Sequence, residues 1–131
     1  ETLVLNLHSK EEIFRLRSNQ ISLEEAIQSI EKAVLIQNNP LYMNSIRLNL
    51  VEALIPIDLE IAKQQFDLLT GIDPNLRFNT YQRYVARWWL CKSILYPRQR
   101  LSCLRESISK HRISGCSRAA KALEKRLHEL I

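Results

Sequence analysis

Glycine is scarce in this chain, two residues in 131, which excludes glycine-rich phosphate loops and argues against folds built on many tight β-turns. Proline is also sparse, and the composition as a whole lies far from disordered or collagen-like chains. Three cysteines, Cys91, Cys103 and Cys116, are too few and too widely spaced for a disulfide framework or a structural zinc site, so neither metal nor cofactor is expected. No apolar run approaches the roughly 18 to 20 residues of a membrane span. What is there is 46% hydrophobic and 25% charged residues, enough apolar surface for one packed domain of this length. The chain opens on Glu1 rather than Met, which reads as a processed product or a piece of a longer protein. The odd cysteine count leans toward a reducing, cytoplasmic compartment.

A net charge of +5 conceals an asymmetry. Acids predominate in the first half of the chain, and from Arg77 to Arg126 thirteen Lys and Arg face only Glu106 and Glu124. Residues 76–131 therefore form a basic region whose potential would attract phosphates, anionic lipid or an acidic protein surface.

The hydrophobic periodicity is helical almost throughout. Ser9-Lys10-Glu11-Glu12 and Ser22-Leu23-Glu24-Glu25 both have the capping-box spacing and predict helix starts. From Ser22 a helix over 22–37 carries Leu23, Ala26, Ile27, Ile30, Ala33 and Val34 on one face and stops at Asn38-Asn39-Pro40. A helix over 41–55 has apolar residues on two sides. Asp58 caps the next, over 58–70, with Gly71 as a left-handed stop. Asp73-Pro74 predicts the start of a helix over 76–95, Pro97 opens one over 97–112, Ser114-Gly115 breaks it, and Ser117 caps the last. Leu3 to Leu7 could be extended, so residues 1–8 read as an arm or linker remnant ahead of a single helical domain over 9–131.

Two stretches superimpose: Glu25-Ala26, Ile30, Ala33 and Asn38-Asn39-Pro40 lie over Ile61-Ala62, Phe66, Leu69 and Asp73-Pro74. This spacing of a small residue, a large apolar one and a terminal proline resembles the second helix of a tetratricopeptide repeat (TPR), over roughly residues 9 to 74. The resemblance implies an all-α fold of three stacked antiparallel hairpins plus a C-terminal capping helix. It places Ala26 and Ala62 where helices approach closely, and Ile30 and Phe66 between hairpins, since a lone hairpin cannot bury both faces. It also implies a scaffold that binds a protein or peptide in a groove, with Asn44 and Arg47 on the groove-facing helix.

Catalysis would need converging acids, bases or nucleophiles, yet His8, His111 and His128 are scattered and none neighbours a nucleophile motif, so no enzyme is expected. Trp88 and Trp89 occupy adjacent helical positions and cannot both face one core stripe. With Arg83 and Arg87 one turn earlier, Trp88 could present a stacking, cationic surface to a peptide, base or sugar. Arg98, Arg100, Arg105 and Arg112 share a hairpin with Arg83 and Arg87 and are expected to form one basic surface. Cys91 and Cys103 lie six residues either side of Pro97, at equal height on facing helices, as a feasible disulfide or as two small core residues.

The leading expectation is thus a non-enzymatic interaction module for a protein or peptide. One alternative is binding of nucleic acid or another polyanion by the basic half. A further one is the soluble TPR-like tail of a membrane O-antigen or glycan ligase or polymerase, periplasmic, with the basic face on anionic headgroups.

Overall fold

Seven α-helices and one 3-10 turn make up the computed structural model, which describes residues 2–37 and 39–131, with side chains from Lys10 onward. The helices are α1 (Thr2–Arg17), α2 (Leu23–Ile36), α3 (Pro40–Leu54), α4 (Leu59–Asp67), α5 (Asn79–Leu95), α6 (Arg100–Ile113) and α7 (Ser117–Leu130), with Pro97–Gln99 as the 3-10 turn. Among the described residues there is no strand, and no helix is long and apolar enough to cross a membrane. Where length pointed to one domain over 9–131, the chain divides into two compact units, Glu1–Thr70 and Gly71–Ile131.

In the first unit α1 packs on α2, α3 and α4 pair as the next hairpin, and α3 also lies against both α1 and α2. With three helical neighbours α3 has little free surface, and Ile46, Leu48, Leu50, Val51, Ala53 and Leu54 are all fully buried. Ala26 and Ala62 are completely enclosed too, as is Ile30, and Phe66 is nearly so. In the second unit α6 packs between α5 and α7. Leu104, Ile108, Ala120 and Leu123 form a core there, with Leu90 and Leu127 packed against it.

Local chemistry explains the ends. The capping box of α2 closes: the Glu25 N–H donates to Ser22 Oγ (3.1 Å) and the Ser22 N–H to Glu25 Oε1 (3.3 Å). Asp58 accepts from the N–H groups of Glu60 and Ile61 at the start of α4. Two helices end in Schellman motifs. At α6 the Cys116 N–H reaches His111 O (2.7 Å) and the Gly115 N–H reaches Arg112 O (3.1 Å), with Gly115 at φ 81°. At α1 the same pair of bonds, Gln20 to Arg15 and Asn19 to Leu16, is closed by Asn19 at φ 58°.

Several expectations are corrected. Leu3 to Leu7 is helical, and Ser9 falls inside α1 rather than at its start. Gly71 is not left-handed: α4 has already ended at Asp67, where Leu68 and Leu69 tighten to i−3 bonds on Gln65 and Phe66. The Asp73 carboxylate accepts from the Asn75 N–H (2.9 Å) in a turn instead of capping a helix, so α5 starts at Asn79. That 71–78 loop is tied down by α5 itself: the Asp73 N–H donates to Tyr81 Oη (2.6 Å), and Gln82 Nε2 donates to Leu76 O (2.8 Å). Cys116, not Ser117, is the N-cap of α7. Asn38 and the side chain of His8 lie outside the described residues.

Phe66 fills the interior of the first unit at 5% exposure, while Leu68 on the same segment is 58% exposed. Phe66→Ala is expected to cost about 3–5 kcal/mol in denaturant unfolding of that unit. Leu68→Ala should fall within about 0.5 kcal/mol of wild type.

Candidate functional site

The side chains that α6 buries fix which ones it presents. Cys103, Leu104, Ser107, Ile108 and His111 face inward. Ser107 is held there by Oγ donating to Ala86 O of α5 (2.7 Å), and the His111 Nδ1 pairs with Ser107 O (2.8 Å). At about 100° per residue, Leu101, Arg105 and Arg112 then fall within about 40° of one another, on the edge of the buried arc that borders α7. Arg98 joins them from the 3-10 turn.

The seam between α6 and α7 opens into adjoining clefts. Pro97, Arg98, Arg100, Leu101, Ser102, Arg105 and Leu130 line one of about 450 Å³. Arg105, Ile108, Ser109, Arg112, Ile113, Glu124, Leu127 and His128 line a second of about 460 Å³. Arg105 belongs to both. A third and smaller one, lined by Ser93, Ile94, Arg100, Leu104, Arg126 and Leu130, shares Arg100 and Leu130 with the first. Arg112 is paired with Glu124 across the seam. Among the described residues Arg98, Arg100 and Arg105 have no ion-pair partner, so three exposed guanidinium groups around one cleft keep their charge for an outside anion.

Other candidate residues stand elsewhere. On α5, Arg83 is exposed and Arg87 and Trp88 half-buried, outside these clefts. The Trp88 and Trp89 rings meet edge to face at 5.0 Å, and the cation over both is Lys92, 5.2 and 5.3 Å from their centroids. In the first unit Arg47 is only 9% exposed and is engaged internally. Its guanidinium donates to both carboxylate oxygens of Glu31 on α2 (2.5 and 3.3 Å) and to Gln65 Oε1 on α4 (2.7 Å). Asn44 binds Thr70 through both ends of its amide. Arg47 thus clamps three helices from a buried place, and Asn44, which is half-buried, anchors the segment after α4. Cys91 and Cys103 are buried and not joined as a disulfide, and Cys103 is pushed up chiefly by burial, with Lys92 opposing.

Leu101, Leu130 and Arg126 join the clefts without a signal for binding in their own sequence neighbourhoods. What places Leu130 there is the single apolar stripe of α7, which runs past the core to the end of the helix. Compared with protein-family models, with curated proteins and with solved structures, the chain finds no match, and the site is read from its own geometry.

One buried group gives a separate test. Tyr84, stacked on Tyr81 at 5.8 Å, has a buried hydroxyl with no hydrogen-bond partner. Burial, with Tyr81 adding and Arg87 opposing, holds its phenol neutral far above the ordinary value of 10.0. The folded chain therefore keeps this proton when the unfolded chain loses it, so stability is full below about pH 10 and declines above it. Tyr84→Phe should stabilise by about 1 kcal/mol at neutral pH, since an unpaired buried hydroxyl is removed, and should flatten the alkaline decline in a pH series of unfolding curves.

Proposed function

We propose that this chain is a non-catalytic, TPR-like helical interaction module whose C-terminal unit binds an anionic partner along the α6–α7 seam. The observation that carries this is the group of three unpaired arginines, Arg98, Arg100 and Arg105, around one cleft. The TPR-like part is supported in the first unit by the order of packing, α1 on α2, then α3 on both and on α4, with the enclosed Ala26 and Ala62 at equivalent places in two hairpins. The unit Gly71–Ile131 carries thirteen Lys and Arg against four acids, and its field draws anions toward the seam.

Heparin serves as a general anionic probe. The wild-type chain should bind it with an affinity that falls steeply as salt rises through about 0.15 M, because exposed charges are screened. Arg98→Glu with Arg100→Glu should weaken binding at least about tenfold, or about 1.4 kcal/mol. Arg17→Glu with Lys32→Glu makes the same change in net charge at exposed places in the first unit and should have a far smaller effect. Equal losses from both pairs would mean that net charge alone is read, and the proposal would fail.

A further inference from the structure

The arginine-lined clefts are not purely polar. Leu101 and Leu130, 37% and 41% exposed, lie beside Arg98, Arg100 and Arg105 in the first cleft, and the exposed Ile113 and partly buried Leu127 line the second. Burying such side chains against apolar groups contributes on the order of 25 cal/mol per Å² removed from water. A sugar-phosphate backbone would leave that surface uncovered. A flat bilayer would not reach the partly buried Leu127, and it would meet the Glu124 carboxylate beside it. The occupant that fits must carry acidic and apolar groups together and must enter a concave seam.

We infer that the α6–α7 seam is a docking groove for an acidic amphipathic helix of a protein partner. This rests on the reading of the seam as an anion-binding face and adds the form of the ligand. The fourteen residues of α6 give a seam of about 21 Å, the length of about four helical turns. Leucine-type side chains at i, i+3, i+4 and i+7 of such a helix would enter the gaps beside Leu101 and Leu130 and beside Ile113 and Leu127. Its flanking carboxylates would take Arg98, Arg100 and Arg105 as charge-assisted partners, two hydrogen bonds per guanidinium where the approach is in plane. Arg105, which borders both clefts, would sit near the middle of the bound helix. Arg112 would contribute less, because Glu124 already neutralises it.

The test is fluorescence anisotropy on the full chain with four probes: a labelled four-turn peptide carrying leucines on one helical face and glutamates beside them, a scrambled peptide of identical composition, polyglutamate, and a duplex oligonucleotide, with anionic phosphatidylglycerol vesicles as competitor. The amphipathic peptide should bind at least about tenfold tighter than the scrambled one and gain helical circular dichroism on binding. Leu101→Ser with Leu130→Ser should remove that advantage, with the circular dichroism and thermal unfolding of the unbound variant reporting that it is folded. Equal binding of the two peptides, indifference to the leucine substitutions, or stronger binding of duplex or vesicles would overturn the inference while the anionic-face reading stands. Failure of Arg98→Glu with Arg100→Glu to weaken any probe would overturn that reading itself.

Discussion

Everything on the functional side of this molecule depends on how α6 is held. Its inward face is pinned by Leu104 and Ile108 in a shared core with α7, and by the Ser107 hydroxyl bonded to an α5 carbonyl at a position with no exposure. A helix has no freedom to turn one side chain without turning all of them, so pinning these positions also sets the azimuth of Leu101, Arg105 and Arg112. Loss of the bond from Ser107 to the Ala86 carbonyl would forfeit about 0.5–1.5 kcal/mol, which adds to the core contacts that oppose rotation of α6. The arginines are exposed, yet their direction is a property of the core beneath them.

Charge and architecture divide at nearly the same place. The unit ending at Thr70 has ten acids and six bases, and the unit from Gly71 has four acids and thirteen bases. A small three-helix unit with so one-sided a charge repels itself, and the apolar core and the helix ends have to offset that. The last turn of α6 helps, because Lys110 and Arg112 sit where the helix dipole favours cations. The first unit uses charge differently. Its buried Arg47 is matched by Glu31 and Gln65 from the two helices beside α3, so a cation there fixes packing and attracts nothing from outside.

Much of the fold was legible in the sequence because the signals were local. The Ser22 capping box, the Asp58 cap, the Ser114-Gly115 break and the helical stripes through Ile30 and Leu123 each depend on neighbours a few residues away. What was misread depended on more distant partners. Ser9 has capping-box spacing, but α1 already runs from Thr2, and a helix in progress does not restart. Asp73-Pro74 has the form of a helix start, yet Tyr81 and Gln82 from the next turns of α5 hold that segment as a loop. Arg47 lies on the helix that the repeat resemblance turns toward a groove, but a partner sixteen residues back and another eighteen ahead enclose it. The basic stretch was plain from composition, and Arg98, Arg100 and Arg105 were expected on one basic surface; the leucine-lined cleft among them was not, because that needs the closing of α7 against α6.

The most direct measurement of the central claim is a backbone amide NMR titration of the full chain with polyglutamate at low salt. Shift changes should concentrate in residues 97–113 and 124–130, with Arg105 among the largest, and should vanish as salt is raised. Perturbations centred on Arg83, Trp88 and Lys92 of α5, or spread evenly over both units, would contradict the assignment of the α6–α7 seam as the binding face.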